Sequence, residues 1–222
     1  MGASGFSIDI ILFGMIAAFL VFRLRSILGR RTGFERPPQA VQPQAAPQPA
    51  ARSGAVMDAK VEPAVTRAVP DPASPLGQTL AQMRTIDRAF DPVAFLNGAE
   101  QAFRLIVTGF AKGDRGLLRT LLSDEMYQAF DNAITDRDKA GHTQVSEVRT
   151  IESASIEAAE MHGTVASLTA RIVSDQISLT KDSAGHIIIG AEAVTEITDL
   201  WTFERDLARQ DPTWRLTAAR SA

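Results

Sequence analysis

Residues Ala166-Ser167-Leu168-Thr169-Ala170-Arg171-Ile172 alternate apolar and polar side chains without a break. Successive side chains of an extended chain point to opposite faces, so Ala166, Leu168, Ala170 and Ile172 share one face and form the inner side of a half-buried strand. The period of two continues toward the C-terminus. Lys181-Asp182-Ser183-Ala184-Gly185 reads as a turn into Ile187, Ile188 and Ile189. From about Ala193 to Arg205, Ile197, Trp201 and Phe203 share a face; after a turn at Asp211-Pro212, so do Trp214, Leu216 and Ala218.

Before Gly141 the period is 3.6. Asp91-Pro92 starts a helix, with a capping carboxylate ahead of a proline whose missing N–H costs nothing there. Phe95, Ala99, Ala102, Ile106 and Phe110 then form a stripe facing a core, and Gly113 is placed to stop it. Gly98, Ala99 and Ala102 keep part of this face small, which predicts close approach of a neighbouring element. Asp114 caps a short helix holding Leu117, Leu118, Leu121 and Leu122. Ser123, with Asp124 and Glu125 in the first turn, opens a third helix whose core face is Met126, Phe130, Ala133 and Ile134 and which Gly141 ends. Helices followed by long strands predict an α+β domain, helices packed on one face of a curved antiparallel sheet, over residues 76–222.

Leu80, Met83, Asp87 and Phe90 fall at helical spacing upstream of this. One reading makes the segment a lid on the core. The other makes Leu80, Met83, Arg84, Arg88 and Phe90 a membrane-surface helix, apolar on one side and basic on the other.

Residues 32–75 hold nine of the eleven prolines, among Ala, Gln and Val, with no aromatic after Phe34. Such a segment buries too little apolar area to offset its ordering entropy, so a disordered linker is expected. Ahead of it, Phe6 to Leu24 is broken only by Ser7, Asp9 and Arg23. Nineteen residues at about 1.5 Å each approach the roughly 30 Å of a bilayer interior, so residues 6–24 read as a transmembrane helix. Arg23, Arg25, Arg30 and Arg31 follow the run, which puts the N-terminus outside and the rest in the cytoplasm. A cleaved signal peptide would need the basic residues in front and a small-x-small site; this run ends in Leu20, Val21 and Phe22.

Composition excludes several functions. There is no cysteine, hence no disulfide, thiolate metal site or cysteine nucleophile. Residues 81–222 carry 15 Lys and Arg against 21 Asp and Glu, a net of −6, and such a surface repels nucleic acid. His142, His162 and His186 sit at strand ends or turns without partners at ligand spacing, so neither metal nor cofactor is expected. Asp199 shares a face with Ile197, Trp201 and Phe203. An acid in an apolar cavity could serve as a general base, unless a bulge turns it outward or Arg205 or Tyr127 satisfies it. Phe103, Trp201 and Phe203 are core, or line an apolar pocket.

Taken in order, Phe95-x-x-Gly98-Ala99, Phe103, Ile106, Phe110-Ala111-x-Gly113-Asp114, Leu122-Ser123, Tyr127, Phe130 and Arg137 resemble the C-terminal domain of the mitochondrial import subunit Tim-forty-four. Asp199-x-Trp201-Thr202-Phe203-x-Arg205 and Pro212-x-Trp214-x-Leu216 match the same family's terminal strands. With its anchor and linker the chain resembles the family's bacterial TimA-type adaptors.

The resemblance implies a cone-like fold of the cystatin or nuclear-transport-factor-two kind, with a deep apolar pocket, membrane attachment and scaffold work. Mitochondrial members are implied to touch cardiolipin-containing membrane and incoming precursors. Their chaperone-recruiting region and matrix-targeting peptide have no counterpart here, so chaperone recruitment is not carried over. The expectation is a non-enzymatic, single-pass adaptor of the bacterial inner membrane, N-terminus periplasmic and domain cytoplasmic. It binds proteins near the membrane, with anionic lipid as a second class of partner, through a pocket of Phe103, Tyr127, Asp199, Trp201 and Phe203. The alternatives are a lipid-binding membrane-surface module and a cone-fold isomerase or hydrolase built on Asp199.

Overall fold

The computed structural model describes residues 65–222. The expected transmembrane helix at 6–24 and residues 32–64 of the expected linker lie outside this range. The end of that linker is corrected: Thr66–Ala68 form a strand, β1, so the fold begins before residue 76. Four helices follow, α1 (Pro75–Ile86), α2 (Pro92–Lys112), α3 (Arg115–Leu121) and α4 (Asp124–Lys139), then strands β2 (Thr143–His162), β3 (Val165–Lys181), β4 (Ile187–Asp206) and β5 (Arg215–Ser221). The strands make one sheet in the order β1-β2-β3-β4-β5. β1 runs parallel to β2 and every other pairing is antiparallel, so the sheet is mixed. The domain is α+β, four helices packed on this sheet.

Local chemistry sets the helix ends. Side chains of Ser74, Asp91, Asp114 and Ser123 accept from the backbone N–H groups of Gly77, Ala94, Leu117 and Met126, each supplying a partner for a first-turn donor. Gly113, at φ 70°, closes α2 with its N–H directed at Gly109 and Phe110 carbonyls. Phe95, Leu96, Ala99, Phe103, Ile106 and Val107 of α2 are buried against Ala166, Leu168, Ala170, Ile172, Trp201 and Phe203 of the sheet. Met126, Phe130 and Ile134 face the same core from α4, while Ala133 is half-buried.

Two expectations about the strands change. Ile187–Ile189 and Ala193–Arg205 belong to one strand, bent where Gly190 takes φ 78°. Gln176 pairs with Thr195 but Ser178 with Ala191, so three residues of β4 oppose Ile177 alone. A Cβ at Gly190 would collide with the Ser178 carbonyl oxygen, so this turn of the strand needs glycine. In β5, Phe203 pairs with Leu216 and Thr202 with Ala218, which leaves Thr217 as a bulge. The bulge reverses the alternation: Ala219 joins Leu216 on the core side and Ala218 is exposed.

Ion pairs tie distant segments together. Arg67 of β1 donates through Nε and Nη2 to both carboxylate oxygens of Glu100 at 2.7 and 2.8 Å. Arg115 donates to Asp131 at 2.6 Å, and that bond, more than any other influence, holds its guanidinium above the ordinary arginine value. Among the described residues no helix is long and apolar enough to cross a membrane.

Candidate functional site

Along α2, Gly98, Ala102 and Leu105 recur at i, i+4 and i+7 on the side turned partly toward solvent. Opposite stands Leu121 at the end of α3, and Trp214 just before β5. Between them lies a groove of about 200 Å³, lined by Phe95, Gly98, Ala99, Gln101, Ala102, Leu105, Leu121, Phe203 and Trp214. Its floor is aromatic. Phe95 stands edge-on to Phe203, centroids 6.1 Å apart, and edge-on to Trp214 at 5.0 Å, an arrangement in which ring edges meet ring faces. Arg215 donates to the Thr120 carbonyl at 3.3 Å and Ser123 N–H to the Leu216 carbonyl at 2.9 Å, which pin the end of α3 beside β5.

The small residues on α2 do something other than expected. A Cβ at Gly98 would meet nothing within 4 Å, so Gly98 leaves the groove open rather than admitting a close neighbour. Gln101 supplies the one side chain in the lining with hydrogen-bonding groups besides the Trp214 indole, and no lining residue is acid, base or nucleophile. A site of this kind can accept apolar side chains or an acyl segment; it has no means of proton transfer. Among the described residues no group of three or more His, Asp or Glu is placed to hold a metal.

Of the five residues expected to form one pocket, Phe103, Trp201 and Phe203 stand in ring contact within the core, with Trp201 and Phe203 at 6.3 Å. Only Phe203 lines the groove. Phe103 is fully buried and packs edge-on against Trp201 at 4.7 Å, as core. Tyr127, half-buried on α4, lies under the Arg119 guanidinium at 4.8 Å. Asp199 is 1% exposed, facing inward as strict alternation requires. Its Oδ2 accepts from Gln176 Nε2 at 3.0 Å and its Oδ1 from Ser221 Oγ at 3.2 Å. Arg205 is engaged with Asp87 at 2.7 Å.

The membrane-surface reading of α1 is corrected as well. Leu80 and Met83 on α1 and Phe90 beyond its end are buried, so the apolar residues of that reading face the core. Arg84 turns back to the Phe90 carbonyl at 3.2 Å, and Arg88 is exposed beyond the helix end. Sequence reading missed Leu105, Leu121 and Trp214 as one site. They come from α2, α3 and the β5 approach, and only the run of small residues at Gly98 and Ala102 signalled that α2 carries something besides core.

A family model described as the Tim44-like domain matches residues 76–221. No curated protein sequence matches significantly. Among solved structures, the intermembrane space region of the chloroplast protein ARC6 is 14% identical, with 60% of this chain and 96% of that one covered and a TM-score of 0.43. A member of the NTF2-like family from Streptomyces avermitilis is 11% identical, with 59% and 97% covered and a TM-score of 0.34.

Proposed function

This chain belongs to the Tim44-like domain family over residues 76–221, and from that premise we propose that it is a membrane-associated scaffold whose groove between α2, α3 and β5 binds an apolar segment of another protein. The observation that carries the reading is the open, aromatic-floored groove beside Gly98. An apolar cleft with few polar groups suits burial of one or two large side chains, whose anchoring supplies most of the energy of many protein contacts. In this reading residues 6–24 span the bacterial inner membrane with the N-terminus periplasmic, residues 32–64 form a leash, and the domain works as an adaptor on the cytoplasmic side. The role is non-catalytic: Asp199 does not line the groove and is held by Gln176 and Ser221.

Photocrosslinking in cells tests this. A crosslinker placed at exposed Gln101 should capture discrete protein partners, and Gly98→Trp, which fills the groove where there is room, should abolish capture while the fold persists. Capture that ignores Gly98→Trp overturns the groove as the binding site. Adducts to lipid alone, together with liposome flotation of the domain, would instead establish the lipid-binding alternative.

A further inference from the structure

The inference concerns the other side of α2. Glu100 is 6% exposed, a carboxylate almost withdrawn from water. A buried carboxylate is tolerable only beside a cation with good geometry. Arg67 supplies it in the two-pronged arrangement that guanidinium and carboxylate share, at 2.7 and 2.8 Å.

Glu100 and the β2 edge at Ser153–Ser155 belong to the family-matched span, whereas Arg67 and the rest of β1 precede its first residue, 76. The family-matched span by itself therefore leaves a notch, which β1, just ahead of that span, fills. The filling is slight. β1 has three residues, all exposed, paired in parallel as Thr66 with Ser153, Arg67 with Ala154 and Ala68 with Ser155. Residues two apart on a strand share a face, and Val65, half-buried against the core, lies on Arg67's side. The notch thus reads two positions, an apolar residue and, two places on, an arginine.

We propose that the notch between Glu100 and the Ser153–Ser155 edge is a strand-acceptor site, that β1 is its resident intramolecular ligand, and that an extended arginine-bearing segment of a partner protein displaces β1 by adding in parallel to β2. Strand addition to a sheet edge draws affinity from main-chain hydrogen bonds and specificity from alternate side chains, here the Val65 and Arg67 positions. The site goes beyond the groove, whose lining includes neither Glu100 nor any residue of β1.

The test uses the purified full chain and a fluorescent peptide of residues 63–70 (Pro-Ala-Val-Thr-Arg-Ala-Val-Pro). Arg67→Ala vacates the notch, so this variant should bind the peptide at least tenfold more tightly than the unaltered chain. Replacing the peptide's arginine with alanine, or adding Glu100→Gln to the variant, should abolish binding. A folded Arg67→Ala chain that binds no better than the unaltered one, or binds the arginine-less peptide equally, overturns the proposal. Hydrogen exchange on the unaltered chain decides independently, and alone if Arg67→Ala fails to fold. Amides of Thr66–Ala68 should exchange at least a hundredfold faster than those of β3, since a displaceable strand opens without global unfolding. Equal protection of β1 and β3 overturns the idea.

Discussion

Arg205 Nη2 donates to Asp87 Oδ2 at 2.7 Å, across 118 positions of sequence, and joins the end of β4 to the end of α1. Both side chains are largely withdrawn from water, at 13% and 16% exposure. The pair is therefore screened less than surface pairs, whose worth is about 0–1 kcal/mol. Asp87→Asn leaves Arg205 Nε on the Asp211 carbonyl at 3.2 Å but removes the carboxylate from Nη2. The expected loss is about 2 kcal/mol, the range of a hydrogen bond to a charged partner. A double-mutant cycle with Arg205→Ala by urea denaturation should give a coupling above about 1 kcal/mol; additive losses would make the two contributions independent.

Glycines at positions 98 and 190 should respond to alanine with opposite signs. Gly98 sits within α2 and an added Cβ meets open space, so Gly98→Ala gains the helix propensity of alanine, about 0.5–1 kcal/mol. At Gly190 the backbone is left-handed and the Cβ would strike the Ser178 carbonyl, so Gly190→Ala should lose about 1–3 kcal/mol. Urea midpoints of the two variants check the pair of signs.

That contrast bears on what the sequence makes legible. The caps at Asp91, Asp114 and Ser123 and the stop at Gly113 were readable because a cap involves three or four adjacent residues. The inner faces of β3 and β4 were readable because Ala166 to Ile172 and Trp201 to Phe203 keep strict alternation. Ala218 was not, because the bulge at Thr217 is fixed by pairing with β4 and no residue type announces it. β1 was unreadable for a related reason: three residues carry no period, and Arg67 is held by Glu100, 33 positions away. The groove fared worst. Gly98, Leu121 and Trp214 become neighbours only when α2, α3 and β5 pack, and of the residues chosen for a pocket Phe203 alone reached it.

Two carboxyls at the turn after β4 should hold their charge to lower pH than an unrestrained aspartate. The Asp206 carboxyl is held below the ordinary aspartate range, first by the Thr164 hydroxyl and then by the Ala208 N–H. Asp211 is held down likewise by the side chain and N–H of Thr213. A carboxyl whose folded pKa is depressed stabilises the fold above its unfolded pKa and loses that contribution as pH falls through the depressed value. Carbon-detected titration should therefore find Asp206 and Asp211 still ionised where an unrestrained aspartate is half protonated. Ordinary titration of both would contradict the assigned hydrogen bonds. Thr213→Val should restore Asp211, and not Asp206, toward the ordinary value.

Arg137 ties the C-terminal turns of two helices together and should be the costliest arginine to replace. Its side chain is 11% exposed. It donates through Nη1 to the Phe110 carbonyl at 2.9 Å and to Gln144 Oε1 at 3.0 Å, and its guanidinium lies 5.4 Å from the Phe110 ring centroid. Burial above all lowers its pKa, partly offset by Asp138. The cation is nonetheless well placed: it sits on the negative end of α2 and in the last turn of α4. Arg137→Met keeps much of the stem's packing but removes both donors, leaving a carbonyl and an amide oxygen without this partner, at a cost of about 2–3 kcal/mol. For a domain of this size that lowers the melting temperature by roughly 5–10 °C. Arg137→Lys should recover less than half of the loss, because an ammonium has no planar face to lie over the Phe110 ring while its N–H groups reach both oxygens. Full rescue by lysine would reduce Arg137 to a point charge and remove the contact with the Phe110 ring from the explanation.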